Sequence, residues 1–361
     1  MTFMVKVFFR GLTVQLLNPN QLFSVFRVSI TKAFLAGLCL SLFFAACTAN
    51  NSAKTNNVTA ADNPGKTKTS VVRFGYQKSA ILLKSKGVLE KRLQPEGVSV
   101  EWTEFPAGPQ LLEAMNVGSI DFGHTGESPP IFAQAAGASL TYIAGIAPSP
   151  ASSAIIVPQT SPIKSVTDLK GKKIAFQKGS SAHYLLVQIL EKYGLKYSDI
   201  KPAFLPLADA RAAFVKGSVD AWVIWDPFYA AASKTINARV LIDGKGITKQ
   251  GGYYLASRKF AVENQQTIKA ILEEIKKLED WSSKNRQAVA ETLAPVLGID
   301  LEAMKKAVNR KQFGIVPINA ELIAAQQEVA DTFYRLKLIP KQINVKEAML
   351  TPEEYAALSP S

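Results

Sequence analysis

Between residues 71 and 257, short apolar runs alternate with stretches that carry apolar residues at helical spacing. "VVRFGY" (71–76), "VSVEWTEF" (98–105), "SIDFG" (119–123) and "LTYIAGIA" (140–147) read as strands, with "AILLKSKGVLEKRL" (80–93), "PQLLEAMNVG" (109–118) and "PPIFAQAAG" (129–137) as helices between them. A chain that alternates in this way must lay helices over a sheet, and the sheet expected is mostly parallel. A second series repeats the plan, with strands at 152–158, 172–177, 202–207, 218–225 and 238–243 and helices at 181–194 and 208–217. After "GGYYLAS" (251–257) the character changes, and residues 260–340 are predicted to be mainly helical, with turns at 297–300 and 313–317. "NVGSIDFG" (116–123) and "VKGSVDAW" (215–222), 99 residues apart, share a helix end, Gly-Ser, a β-branched residue, Asp and a strand. Two lobes built on one unit would produce that repeat.

The N-terminus belongs to another class. Lys6, Arg10, Arg27 and Lys32 occur there without any acid, and "AFLAGLCLSLFFAAC" (33–47) follows uncharged. That run falls short of the ~20 residues a spanning helix needs and suits a signal-peptide core. Ala45-Ala46-Cys47 has the small-small-Cys form of a lipoprotein processing site, although Phe44 stands where Leu is usual. Residues 1–47 are therefore read as a signal peptide with a lipoprotein-type cysteine, Cys47 carrying the lipid; an ordinary cleavage nearby is the alternative. Cys39 would be lost with the leader, leaving no disulfide. The polar stretch 48–70 reads as a flexible tether.

With 361 residues, 47% hydrophobic and 20% charged, the remainder is long and apolar enough for two or three globular domains. Formal net charge is +13, but the basic residues are scattered and form no Arg-rich run or aromatic-interleaved stripe. This argues against nucleic acid as a partner and leaves a mild bias toward an anionic ligand.

Three strand-to-helix junctions carry similar chemistry: Thr125-Gly126-Glu127-Ser128-Pro129-Pro130, Lys178-Gly179-Ser180-Ser181-Ala182-His183, and Trp225-Asp226-Pro227-Phe228. The first strand ends in Gly75-Tyr76-Gln77-Lys78-Ser79, a fourth polar edge. Ligands of open α/β sheets sit beyond the carboxyl ends of the strands, where helix N-termini converge. Free N–H groups, hydroxyls and positive dipole ends there make an anion site that needs no buried cation. Ser128 and Asp226 are expected to cap their helices. Ordinary capping explains any one junction; three in parallel, split between two repeated units, point to a ligand.

"FGYQK", "EFPAGPQLLEAMNVGSIDFGHTGESPPIFAQAAGA", "SPIKSVTDLKGKKIAFQKGSSAHYLL", "PLADARAAFVKGSVDAWVIWDPFYAA" and "TFYRLKLIPKQI" closely resemble, in order and over about residues 71–345, the periplasmic aliphatic sulfonate-binding proteins of ABC importers. The resemblance implies an α/β chain of the type II periplasmic-binding fold: two α/β lobes joined by two hinge crossings, near Val157 and near Gly252–Tyr254. Lobe 1 would be 71–156 with 252–361, and lobe 2 would be 157–251. It further implies a monomer, periplasmic and lipid-anchored, that hands its anion to a membrane permease and its ATPase for sulfur acquisition, without cofactor, metal or catalysis.

A sulfonate is a tetrahedral monoanion that needs donors and no proton chemistry. Resemblance and junction chemistry together assign Gln77, Gly126, Glu127 (through its N–H), Ser128, Ser180, Ser181 and His183 to the head group. Trp225, Tyr254 and Phe105 are assigned to the alkyl tail. Asp226 has two readings, a helix cap or a partner for the ammonium of an amino-sulfonate such as taurine. Arg211 reads as solvated or inter-lobe, and His124 as a hydrogen-bonded structural residue. Taurine and nitrate are the competing ligands, although a small planar ion such as nitrate wants a tighter pocket and a nearby cation. An enzyme acting on a small anion or a pyrimidine is the rival class. With two histidines and no H-E-x-x-H, G-x-S-x-G or Walker A motif, Glu127 and His183 are its only acid–base pair.

Overall fold

The computed structural model describes residues 70–249 and 251–358. The signal segment, Cys47 and residues 48–69 of the expected tether lie outside them, while Ser70 already opens a strand. Among the described residues no helix is long and apolar enough to cross a membrane.

Strands β1 (Ser70–Tyr76), β2 (Val98–Glu104), β3 (Phe122–Thr125), β4 (Leu140–Ile146), β5 (Ser153–Pro158), β6 (Lys173–Phe176), β7 (Lys201–Phe204), β8 (Ala221–Trp225), β9 (Ala238–Asp243), β10 (Tyr253–Ser257) and β11 (Ile315–Val316) form two sheets. Their orders are β11-β4-β10-β3-β1-β2 and β7-β6-β8-β5-β9. Read from β2 and from β7, the two sheets share one plan. A parallel trio, β2-β1-β3 or β7-β6-β8, is followed by antiparallel pairings to β10 and β4, or to β5 and β9. The sheets are therefore mixed and not mostly parallel as expected. The reason is topological: β5 and β10 are the strands that enter a sheet straight after the chain has passed over from the other one, so each runs against its neighbours.

Each sheet with its helices is a lobe. Because β5 pairs with β8 and β9 from Ser153 to Pro158, the first passage between lobes occupies residues 147–152, upstream of Val157, which sits inside the strand. The second occupies 244–252, just before β10. The passages run side by side: Ile146 N–H donates to the Gly252 carbonyl at 2.8 Å and Gly244 N–H to the Ser153 carbonyl at 3.1 Å.

The Gly-Ser repeat has a physical basis. Gly118 (φ 74°) and Gly217 (φ 68°) are left-handed helix ends, where glycine carries no Cβ penalty. Three residues later, Asp121 and Asp220 hold the neighbouring strand. Asp121 Oδ2 accepts from Arg73 N–H at 2.9 Å, and Asp220 Oδ2 accepts from Lys173 N–H at 2.7 Å. The side chains bend the chain, so β3 starts at Phe122 and β8 at Ala221, later than the alternation suggests.

Gly87, at φ 60°, splits the helix expected over 80–93 into Leu82–Lys86 and Val88–Leu93. The turn expected at 313–317 carries β11, two residues paired to β4 and too short to show a period. Core clusters cover both faces of each sheet. In lobe 1, helices Gln265–Lys284, Arg286–Leu297 and Leu301–Arg310 complete one of these cores.

Candidate functional site

The loops after β1, β3, β6 and β8 converge between the lobes. Those after β3 and β6 touch: a Cβ placed on Gly126 would lie 1.7 Å from Ser181 Oγ. Behind them stand helix Ser128–Ala135 of lobe 1 and helix Ser181–Lys192 of lobe 2. The cap expected from Ser128 is not formed. Glu127 takes the cap position in helical geometry, Ser128 lies one residue inside, and its hydroxyl donates to Glu127 Oε1 at 3.0 Å. Pro129 and Pro130 carry no N–H, so the donors of this loop reduce to the amides of Gly126, Glu127 and Ser128. In the loop after β6, Ser180 opens the helix while its hydroxyl donates to the Gln177 carbonyl at 2.7 Å. The amides of Ser181 and Ala182 start that helix and have no carbonyl four residues back within it.

A cavity of about 290 Å³ opens beside this contact. Gln77, Gly126, Glu127, Ser180, Ser181, Trp225, Asp226 and Tyr254 line it. Both inter-lobe passages reach it, through Ser149 and Ser152 on one and Gly251 and Gly252 on the other. A second chamber of about 360 Å³ shares Gln77, Lys78, Ser79 and Trp225 with the first and is lined by Phe105 and the exposed Arg211. Gln77 is buried, and its amide donates to the His124 carbonyl at 3.0 Å, tying the end of β1 to that of β3.

Ser128 and His183, both assigned to the head group, do not line the cavity. Ser128 is wholly buried beneath the loop. His183 is also buried, with Phe132, Phe176, Phe204 and Phe333 around its ring. Its Nδ1 accepts from Gly179 N–H at 3.3 Å and its Nε2 lies 3.0 Å from the Tyr197 hydroxyl. Burial, with Lys178 nearby, pushes its pKa down to about 3, so it is a neutral ring that shapes the Gly179 loop. Pro227 takes the cap position expected of Asp226, which lies one residue earlier, yet Asp226 Oδ1 accepts from the first-turn Ala230 N–H at 3.1 Å. Both its oxygens are also gripped by Arg310, at 2.8 and 2.7 Å, and that guanidinium lies 4.1 Å over the Tyr229 ring. Burial raises the Glu127 carboxyl, opposed by hydrogen bonds from its own N–H, Ser181 and Ser128.

Several cavity residues escape the junction logic. His124, read as a satisfied structural residue, lines the cavity with its buried Nε2 unpartnered; burial, with Lys311 adding to it, holds its pKa near 4. Lys311 lines the cavity too, paired to Glu279 at 3.2 Å. Gln326, wholly buried, donates to the Glu127 carbonyl at 2.7 Å and to the Tyr142 hydroxyl at 2.9 Å, holding the β3 loop from behind. Lys311 and Gln326 come from helical sequence after residue 260, where no strand-to-helix signal marks them. For His124 the signal was present, a polar residue at the carboxyl end of a buried strand.

The family profile described as NMT1/THI5 like matches residues 93–287. An aliphatic sulfonates-binding protein of Escherichia coli (strain K12) is 46% identical over 287 residues, which span 78% of this chain and 89% of that protein. Among solved structures, the alkanesulfonate-binding protein SsuA from Xanthomonas axonopodis pv. citri, bound to MOPS, superposes with a TM-score of 0.75 at 43% identity, over 78% of this chain and 98% of its own. The periplasmic aliphatic sulphonate binding protein SsuA from Escherichia coli superposes with a TM-score of 0.71 at 45% identity, over 78% and 92% of the two chains.

Proposed function

The chain belongs to the aliphatic sulfonate-binding proteins of the NMT1/THI5-like family, and on that premise we propose that it is the solute-binding component of an ABC importer, capturing aliphatic sulfonates between its lobes. The observation that carries the reading is the contact of Gly126 with Ser181 at the edge of a cavity lined by amides, hydroxyls and aromatic rings. A permanently charged sulfonate is held there by the amides of Gly126 and Glu127, the Ser180 and Ser181 groups and the Gln77 side chain, while Trp225 and Tyr254 pack its carbons. Each helix N-terminus adds roughly 0.3–2 kcal/mol of attraction for the anion. A ligand that touches both lobes favours the closed form, and the closed surface is what the permease reads.

Two features weigh against the competing ligands. The Asp226 carboxylate is already held by Arg310, which counts against its pairing with the ammonium of taurine. The space far exceeds what a small trigonal planar ion fills, which argues against nitrate. In this reading the protein acts as a monomer in the periplasm, tethered through a lipid on Cys47, and serves sulfur acquisition. Titration calorimetry with ethanesulfonate tests the site. The Ser180→Ala/Ser181→Ala double variant is expected to bind at least about tenfold more weakly, the equivalent of ~1.4 kcal/mol. Unchanged affinity would remove these hydroxyls from the site.

A further inference from the structure

The loops that meet at Gly126 and Ser181 are backed by a second contact between the lobes, made of rings. Phe132 of helix Ser128–Ala135 and Phe333 of helix Ala320–Arg335 belong to lobe 1 and pack edge to face, with centroids 4.9 Å apart. Both reach across to His183 of lobe 2, at 6.1 and 5.2 Å between centroids. Phe333 also lies 5.7 Å from the ring of Tyr184, a lobe 2 residue that is 1% exposed and packs in a core otherwise built by lobe 1. Phe132 sits so close to Gly179 that a Cβ there would meet its ring at 3.2 Å. These faces are dry only while the lobes are together. Separation wets the two phenyl rings, at a cost in apolar surface, and wets the imidazole they cover.

His183 does more than fill this seam. Its Nδ1 accepts from Gly179 N–H at 3.3 Å, in the loop that leads to Ser180 and Ser181, and its Nε2 lies 3.0 Å from the Tyr197 hydroxyl. A nitrogen that accepts carries no proton, and protonation would turn it into a second donor facing the Gly179 amide. We infer that His183 is a positioning residue for anion capture: the seating of Phe132 and Phe333 on its ring is coupled, through its bond to Gly179, to the shape of the loop that holds the sulfonate, and only the neutral ring lets the lobes close. The inference rests on the sulfonate reading and deepens it by making capture proton-linked. In lobe 2, Lys178 and the Tyr197 hydroxyl face the ring, and Lys178 opposes its protonation. The elements of lobe 1 packed on it bring Phe132 and Phe333, both uncharged. Glu127 and Glu328 act on the neighbouring Tyr184 hydroxyl, and Glu191, on the helix of His183, is paired with Arg335 at 2.8 Å. With the lobes together, burial keeps the ring neutral down to about pH 3. Losing the two phenyl rings on opening returns it toward its ordinary value of about 6.5.

Calorimetric affinity for ethanesulfonate, followed from pH 8 to pH 5 in buffers free of sulfonate groups, tests it, because this ligand keeps its charge throughout. As pH falls through the value of the open form, closure must first expel a proton, so affinity falls. The unmodified protein is expected to lose at least about fivefold in affinity over that range. His183→Asn keeps an acceptor for the Gly179 amide but nothing that titrates. It is expected to bind more weakly at pH 8, while its loss on acidification shrinks below about twofold. Phe132→Ala keeps the imidazole but admits water to it from the lobe 1 side, and is expected to cut the loss at least by half, with thermal unfolding confirming the fold of whichever variant is used. Glu127 and His124, the other buried titratable groups at the cleft, are the same in both variants, so any slope they cause persists there. A purely structural role for His183 would weaken binding by one factor at every pH. That result, or a flat profile in the unmodified protein, or a slope undiminished in both variants, overturns the inference and leaves the sulfonate site standing. If no sulfonate binds at any pH, the sulfonate reading fails and the positioning role fails with it.

Discussion

The two lobes share a strand order, a Gly-Ser-x-Asp clasp and a hydroxyl-bearing loop aimed at the cleft, yet they contribute unequally to the cavity. Lobe 2 lines it mainly with loop groups, among them Ser180, Ser181, Trp225 and Asp226. Lobe 1 adds a matching loop and also side chains from the helices that follow β10, among them Ile275, Glu279 and Met304. The clasps differ as well. Asp121 is additionally gripped by the Arg73 guanidinium at 2.9 and 2.6 Å, while Asp220, exposed, forms no ion pair among the described residues. The repeat thus supplies two equivalent walls for an anion.

Acidification should separate the lobes most strongly, since each holds one of the protein's two histidines. Both are neutral when folded and take up a proton near pH 6.5 when unfolded. Between pH 6.5 and about 4 the unfolded chain therefore binds more protons, and stability falls as pH falls. The loss is expected to be on the order of a few kcal/mol per histidine. Denaturation midpoints measured from pH 7 to pH 3 should flatten more in His183→Gln than in His124→Gln, because His183 stays neutral over about one further pH unit. The reverse order would mean that the ring with both nitrogens engaged is the less desolvated of the two.

Arg310→Met should come next. It leaves the nearly buried Asp226 carboxylate without its cation, at a cost of about 3–5 kcal/mol in urea denaturation. Removing a clasp should cost less, and unequally. Asp121→Ala is expected to lose about 2–3 kcal/mol and Asp220→Ala about 1 kcal/mol, because only the first forfeits charge-assisted bonds to a guanidinium. Equal losses would show that the backbone bond alone carries both clasps. The smallest effect is expected at another inter-lobe pair, Arg335–Glu191 at 2.8 Å, where both side chains are well exposed. Arg335→Met should shift stability by at most about 1 kcal/mol.

Periodicity and junction chemistry in the sequence located the strands and the loops that meet in the cleft, because both depend on residues adjacent in the chain. They reversed the two histidines. His183 stands in a polar loop before a helix, as a ligand-binding residue would. Its fate is decided by Phe132 and Phe333, which reach its ring from distant parts of the chain. His124 reads as a hydrogen-bonded structural residue just after a strand, yet it lies within β3 and its buried Nε2 has no partner. Lys311 and Gln326 come from the helical region after residue 260, and amphipathic periodicity says only that such a helix has a buried face, not what that face meets.

The two passages between the lobes, lying side by side along the cavity wall, act as a fulcrum set next to the load. Groups at the fulcrum travel little when the body flexes. Surfaces at the outer rims sweep much farther through the same angle. A membrane partner docked on those rims would therefore sense an amplified displacement for a molecule it never touches.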